Sequence, residues 1–304
     1  MRRHTEAGSW SDVRPRTVAV VLHDPITRWY AANARDLPWR RPGTSAWSVM
    51  ISEFMLQQTP VARVLPVHET WLQLWPTPAA LAAAPSGEAV RAWGRLGYPR
   101  RALRLHAAAT AIVDRYDGEV PDTYEELLTL PGVGDYTAAA IASFAFGRSH
   151  AVLDTNVRRV LGRAVGGVEF PATSVTRAER DVAEELVPEH EPEVWAVAVM
   201  ELGALVCTAL KPSCERCPVA DQCAWVAAGR PPYDGPPRKA QTYAGTDRQC
   251  RGRLLAVLRD TDGAVSKQRL DAVWADPVQR ERALAGLVSD GLVVAQGRGY
   301  ALPG

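Results

Sequence analysis

The sequence contains no long apolar run and almost no lysine. A membrane helix needs about 20 mainly apolar residues, whereas the run at residues 18–22 is too short even for the core of a signal peptide. The 35 basic residues are nearly all arginines, and 34 acidic residues leave a net charge of +1. Binding to a polyanion would therefore depend on a local basic patch. We expect a soluble cytoplasmic monomer without a membrane partner.

Apolar spacing divides the chain into a long helical region and a short C-terminal module. Residues 1–16 are polar and predict a flexible tail, and residues 17–228 show helical periodicity with few strand signals. Prolines and glycines mark residues 229–247 as a linker. Residues 248–304 have the order helix, helix, helix, hairpin, which is typical of a winged helix. Such a module serves either as a DNA reader or as a plain packing or dimer module.

Four of the five cysteines follow the spacing C-x6-C-x2-C-x5-C. In a cytoplasmic protein thiols stay reduced, so this spacing indicates a metal centre rather than disulfides. Zinc sites usually contain two matched C-x2-C pairs, whereas one pair inside a wider loop favours a 4Fe-4S cluster. The spacing alone leaves open both a zinc site and a 4Fe-4S cluster. The candidate ligands are Cys207, Cys214, Cys217 and Cys223.

The segment LPGVG at residues 130–134 joins two predicted helices. Gly132 and Gly134 permit a tight turn and leave backbone N–H groups available at a helix N-terminus, where a DNA phosphate could bind without sequence readout. About 20 residues later Asp154 begins another predicted helix. An aspartate there is either an ordinary N-cap or a functional carboxylate.

The hairpin, the aspartate and the cysteine loop occur in the order found in one superfamily. The chain resembles the helix-hairpin-helix DNA glycosylases with an iron–sulfur cluster over residues 20–228. Residues 52–59, SEFMLQQT, and residues 37–40, LPWR, are similar to motifs of the MutY-type adenine DNA glycosylases. The resemblance implies a mainly α fold with an iron–sulfur loop at residues 207–223, followed here by the small winged-helix-like α+β module.

Two carboxylates with different roles suit cleavage of an N-glycosidic bond. Glu53 lies in an apolar segment, where an acid holds its proton and can protonate the adenine base. An ionised Asp154 would stabilise the cationic sugar or capture it before water attacks. By resemblance, Tyr136 and Asn156 lie beside these carboxylates. Tyr136 occupies the position at which endonuclease III carries its catalytic lysine, so a Schiff-base route to strand cleavage is not expected.

Further residues are assigned to DNA by resemblance. Gln58 and Tyr98 would wedge beside the partner base, Thr59 would lie close to it, and the hairpin would hold the backbone. Five arginines near Tyr98 supply the local basic patch (Arg91, Arg95, Arg100, Arg101 and Arg104). The predicted DNA and base contacts are Leu37, Trp39, Arg40, Gln57, Gln58, Thr59, Tyr98, Arg100, Gly132, Gly134 and Glu201.

The C-terminal module departs from the family. Many MutY-type enzymes end in a Nudix-like domain that reads 8-oxoguanine and needs well over 100 residues. Only about 65 residues follow the linker here, and Pro99 stands where the family commonly has a second wedge tyrosine. Either the module substitutes for that domain, or the catalytic domain discriminates through Gln58, Thr59 and Tyr98.

The sequence therefore predicts a monofunctional DNA repair glycosylase that removes adenine opposite 8-oxoguanine or guanine in double-stranded DNA. Two alternatives remain. One is an endonuclease III-like glycosylase/lyase for oxidised pyrimidines, which Tyr136 and Glu53 oppose. The other is a non-catalytic iron–sulfur DNA-binding protein, which the presence of both carboxylates opposes.

Overall fold

The computed structural model of the chain describes residues 15–235 and 243–304, with the backbone alone for residues 15–20. Most of the predicted tail and residues 236–242 of the predicted linker lie outside the described residues. The helices are α1 (Pro15–Asn33), α2 (Ala46–Leu56), α3 (Val61–Leu74), α4 (Pro78–Ala82), α5 (Ser86–Trp93), α6 (Arg100–Tyr116), α7 (Tyr124–Leu128), α8 (Asp135–Phe146), α9 (Thr155–Ala164), α10 (Arg177–Glu185), α11 (Pro192–Leu205), α12 (Ala224–Ala227), α13 (Asp247–Arg259), α14 (Lys267–Asp271) and α15 (Pro277–Ser289).

The described residues form two compact units. The first contains residues 15–43, 122–127 and 134–235, and the second contains residues 44–121, 128–133 and 243–304. In the first unit, α1 and α9 both pack against α11. Its core is built from aliphatic side chains that recur at helical spacing, including Ile26, Val160, Val199 and Leu202.

In the second unit, α6 packs against α4 and α5, and α2 packs against α3. Side-chain caps begin several of these helices. Ser45 accepts from Ser48 N at the start of α2, and Thr77 accepts from Ala80 N at the start of α4. Trp71 and Trp93 are fully buried and stack edge to face with 5.5 Å between their ring centroids.

The C-terminal module belongs to this second unit. Helices α13 and α15 pack together beside a three-stranded antiparallel sheet in the order β1-β3-β2. The strands are β1 (Val265–Ser266), β2 (Val294–Gln296) and β3 (Gly299–Ala301). Val294 pairs with Ala301 in the hairpin, and Val265 pairs with Tyr300.

The predicted mainly helical fold with a small α+β module is confirmed. Three elements were not predicted: α4, α12 and β1. Each is five residues or fewer, which is too short to show a period in the sequence. Helix α1 continues through Pro25. No helix of the described ranges is long and apolar enough to cross a membrane.

Candidate functional site

Asp154 lies at the N-terminus of α9 and is its N-cap. Its Oδ1 accepts from the backbone N–H groups of Asn156 (2.8 Å) and Val157 (2.6 Å), and its Oδ2 accepts from Asn156 Nδ2 (2.7 Å). A carboxylate offers about four acceptor positions, so one remains on Oδ2. Burial raises the pKa of Asp154 above its ordinary value, although the bonds from Val157 and Asn156 act in the opposite direction. The capping interpretation is confirmed, and the carboxylate can still face a ligand.

A chain of hydrogen bonds leads from Asp154 to the cysteine loop. Asn156 accepts from Arg159 Nη2 at 2.8 Å. Arg159 donates in turn to the carbonyls of Gly203 and Cys207, both at 2.6 Å. At Gly203 a Cβ atom would lie 2.7 Å from Asn156 Cβ, so only glycine lets α11 approach α9 so closely.

The hairpin has the predicted helix–turn–helix form. Gly132 has a φ of +80°, and a Cβ there would lie 2.7 Å from Arg104 Cβ. The glycine is therefore required by both backbone and packing. Gly134 is the N-cap of α8, so no side chain caps that helix. Tyr136, in the first turn of α8, is half-buried and packs against the cluster that contains Val152.

Glu201 is completely buried in α11 and binds the segment after α1. Its carboxylate accepts from Arg35 N (3.1 Å), Arg35 Nε (2.7 Å), Arg35 Nη2 (2.7 Å) and Arg40 Nη1 (2.8 Å). Burial alone would raise the pKa of Glu201, but these bonds outweigh it and lower the pKa to about 2. Leu37 and Trp39 are buried in the same segment. The structure thus brings Arg40 together with Glu201, whose oxygens are fully used by arginines.

Glu53 lies in the second unit, on α2, and is only 4% exposed. Its helix neighbours Ile51, Ser52, Phe54 and Met55 are buried as well. The chain therefore sets one carboxylic acid in the middle of an apolar helix, as the sequence predicted. Burial of such a group is costly unless it is hydrogen-bonded, is paired or keeps its proton.

In the second unit, Arg101 connects residues 57–59 with the predicted wedge residue Tyr98. Gln58 is exposed with a φ of +58°, and Tyr98 is 41% exposed with a φ of +46°. Arg101 donates to Gln57 O and lies 4.5 Å from the centre of the Tyr98 ring. Thr59 Oγ1 donates to Leu96 O at 3.4 Å. These contacts hold two strained residues at one place.

Three of the five predicted phosphate-binding arginines have protein partners: Arg101, as described above, and Arg91 and Arg100. Arg100 forms an ion pair with Asp290 at 3.3 Å. Arg91 donates to the carbonyls of Arg259 and Thr261. Asp290, Arg259 and Thr261 all lie in the C-terminal module, so this basic run in the sequence is partly a docking surface between elements.

The four cysteines line one cavity with Arg163, Pro212, Trp225 and other residues. Burial and the neighbouring cysteines raise the pKa of Cys217 to about 11, so bare thiolates are disfavoured without a positive group between them. In the described ranges no group of histidine, cysteine or acidic side chains is placed to hold a metal ion. Four cysteine thiols around one cavity are a donor set that an iron–sulfur cluster takes.

Sequence reasoning missed Arg163, which is 1% exposed. Its guanidinium donates to the carbonyls of Glu169 (3.0 Å), Thr208 (2.8 Å) and Ala209 (3.2 Å), and it lies 3.4 Å from Cys207 Sγ. Arginines on a helix usually indicate a solvated face. The signal that could have revealed it is three arginines on one short helix that precedes a cysteine loop.

Comparisons with known proteins agree with this geometry. Residues 51–185 match the HhH-GPD superfamily of base excision DNA repair proteins, and residues 207–223 match the iron–sulfur binding domain of endonuclease III. The adenine DNA glycosylase of Mycobacterium tuberculosis is 54% identical over 92% of both chains. That of Mycolicibacterium smegmatis is 54% identical over 92% of this chain and 95% of its own.

A solved thermostable thymine-DNA glycosylase has a TM-score of 0.65 and 28% identity, and the match covers 70% of this chain and 98% of that one. The two bacterial relatives match more of the chain than this structure does. An alignment over 92% of the chain must extend into the C-terminal module, so those relatives share more than the glycosylase region.

Proposed function

The chain belongs to the adenine DNA glycosylase family of the helix-hairpin-helix superfamily, and from this premise we propose its substrate and mechanism. It is a base-excision enzyme that contains a 4Fe-4S cluster. The proposed substrate is adenine opposite 8-oxoguanine or guanine in double-stranded DNA. The target nucleotide leaves the duplex before its N-glycosidic bond is hydrolysed.

The geometry of Asp154 is the observation that carries the proposal. Three N–H donors fix its carboxylate and leave one acceptor position on Oδ2. Through this free acceptor position, the ionised carboxylate of Asp154 stabilises the oxocarbenium ion of the sugar or adds to it. Asn156 holds the carboxylate in place. Tyr136, near the start of α8, is the proposed neighbour of the sugar.

Glu53 is the proposed general acid. Protonation of the adenine ring makes the base a neutral leaving group, so the C1′–N9 bond can break with both electrons on the base. Water then adds to C1′ as hydroxide, and its remaining proton returns to the carboxylate of Glu53. The net reaction is hydrolysis, with free adenine and an abasic sugar as products.

The absence of a lysine at position 136 supports a monofunctional enzyme. A glycosylase/lyase cleaves the strand through a Schiff base with an amine, and a phenol cannot form one. We expect adenine release without strand cleavage. An endonuclease III-like activity would instead give cleaved strands from oxidised pyrimidines.

The proposed DNA contacts fall into three sets. Gln57, Gln58, Thr59 and Tyr98 face the partner base, and Gly132 and Gly134 face the backbone. Leu37, Trp39, Arg40 and Glu201 form the base pocket, in which Glu201 fixes the orientation of Arg40. Cys207, Cys214, Cys217 and Cys223 are the proposed cluster ligands. When bound, the cluster crosslinks the loop through iron–thiolate bonds.

We further propose a cytoplasmic, nucleoid-associated monomer. Its proposed domain organisation is a glycosylase domain at residues 17–228, a linker at 229–247 and the C-terminal module at 248–304. The predicted flexible tail at residues 1–16 precedes them.

Single-turnover excision tests the function on duplexes that differ only in the base opposite adenine. Rapid release opposite 8-oxoguanine and guanine, and slow release opposite cytosine and thymine, is expected. Glu53→Gln and Asp154→Asn should each lose at least about 100-fold in rate while retaining duplex binding. Glu69→Gln, an exposed carboxylate on α3, serves as the control. No adenine release from any duplex would overturn the proposal and favour a non-catalytic DNA-binding protein.

A further inference from the structure

The predicted wedge Tyr98 lies against two guanidinium groups, one of which comes from the C-terminal module. Arg101 Cζ is 4.5 Å from the ring centre of Tyr98, and Arg248 Cζ is 4.9 Å from it. Arg248 belongs to the first turn of α13. Its guanidinium also lies 5.8 Å from the Tyr243 ring. Both distances fall within the range of cation–π contact.

The position of α13 is fixed by hydrogen bonds between the C-terminal module and helix α5. Arg91 donates to Thr261 O at 3.2 Å and to Arg259 O, while Arg259 Nε donates to Val90 O at 2.9 Å. Gly87 N donates to Pro303 O at 2.8 Å. Arg248 therefore approaches Tyr98 as part of a docked module rather than as a loose side chain.

Among the described residues, Arg248 and Arg253 are the cations of α13 without a polar partner, and only Arg248 lies against the wedge. Arg251 pairs with Asp290, and Arg253 lies over the Trp274 ring. Arg248 is exposed, and among the described residues no carboxylate or hydrogen-bond acceptor contacts it. A guanidinium stacked on an aromatic ring keeps its N–H groups in a fixed plane, which suits the oxygens of a phosphate.

We propose that Arg248 binds a DNA backbone phosphate beside the wedge, so that the C-terminal module forms part of the DNA interface. The inference rests on the proposed function only in that the ligand is duplex DNA. It assigns to the module a contact made through charge and stacking. The module thereby contributes to duplex affinity, although it is too short for a Nudix-like domain.

The test is the salt dependence of duplex binding by the full chain. Each phosphate neutralised by a cation contributes about 0.9 to the slope of log K against log salt. In an Asp154→Asn background, Arg248→Gln should lower the slope for an A:8-oxoguanine duplex by about 0.9. The corresponding loss of affinity at about 0.1 M salt is roughly eightfold.

Arg253→Gln is the matched control, because it removes the same charge from the same helix and should leave the slope unchanged. An unchanged slope in Arg248→Gln would overturn the inference, as would equal losses in both variants. The readout needs no turnover. Failure of the unsubstituted chain to release adenine would count against the proposed function, and the slopes would still decide whether Arg248 contacts DNA.

Discussion

At the scale of single residues, the protonation of Asp154 should set the acid limit of activity. Burial raises the pKa of Asp154, and the amide of Asn156 lowers it by donating to Oδ2. Asn156→Ala removes that donor, so the pKa rises further and less carboxylate is ionised at a given acidic pH. The acid limb of the single-turnover rate should therefore move to higher pH than in the unsubstituted chain.

Thr155→Ala is the control for that variant. Thr155 is exposed at the start of the same helix and does not donate to Asp154. Its pH profile should match that of the unsubstituted chain. An unshifted acid limb in Asn156→Ala would show that the amide does not tune the carboxylate.

A second prediction at this scale concerns Arg163. Its guanidinium satisfies three carbonyls, two of which, Thr208 and Ala209, belong to the cysteine loop. Arg163→Gln leaves partly buried carbonyl acceptors unsatisfied, at up to about 1–3 kcal/mol for each such group. We expect the loop to loosen and the purified protein to contain less than about half the iron per chain.

Iron content and the absorbance near 410 nm measure this effect. Arg177→Gln provides the comparison, because Arg177 is an exposed arginine of the first unit. Full iron content in Arg163→Gln would show that the cysteines alone hold the cluster loop.

At the scale of elements, the sequence predicts what depends on local chemistry. The hairpin helices follow from a glycine turn between apolar periods, and α9 follows from its aspartate cap. The burial of Arg158, Arg159 and Arg163 could not be predicted in this way. Their acceptors are Glu179, the Cys207 carbonyl and the carbonyls of the cysteine loop, which lie far away along the chain. Only the packed fold shows which acceptors these guanidinium groups find.

The attachment of the segment after α1 to α11 gives the third prediction. The pKa of Glu201 is about 2 in the fold, against an ordinary value of 4.5. Because the pKa of Glu201 is lower in the fold than in the unfolded chain, ionised Glu201 stabilises the fold at pH values above about 4.5. That stability is lost as the pH falls from about 4.5 towards about 2. Glu201→Gln should lower the free energy of unfolding by about 3 kcal/mol at pH 7. The difference from the unsubstituted chain should shrink as the pH falls.

Denaturant unfolding at a series of pH values measures that difference. Asp36→Asn changes an exposed carboxylate in the same segment, whose pKa Arg41 also lowers. It should alter stability little. A pH-independent difference for Glu201→Gln would mean that the variant acts through packing rather than charge.

At the scale of the whole molecule, the sequence predicts a C-terminal module but not the contacts that hold it. A run of arginines near a wedge predicts phosphate contacts, yet Arg91 and Arg100 bind the C-terminal module. Both uses exploit the same guanidinium fork, which binds a carbonyl or a carboxylate as readily as a phosphate. The choice between them depends on which acceptors the fold brings near, and the sequence does not contain that information locally.

The last prediction tests the docked C-terminal module through Gly87. The Gly87 N–H donates to Pro303 O, and a Cβ at position 87 would lie 2.2 Å from that oxygen. Gly87→Ala must displace the backbone at residue 303, because the obstructing atom is a carbonyl rather than a flexible side chain. Amide hydrogen exchange in residues 299–304 should accelerate by at least about tenfold, while α6 remains protected. Ser86→Ala removes only a 3.4 Å contact with Gly304 O and should change exchange little. Equal protection in Gly87→Ala would show that this contact does not hold the module, and docking would then depend on Arg91 and Arg259.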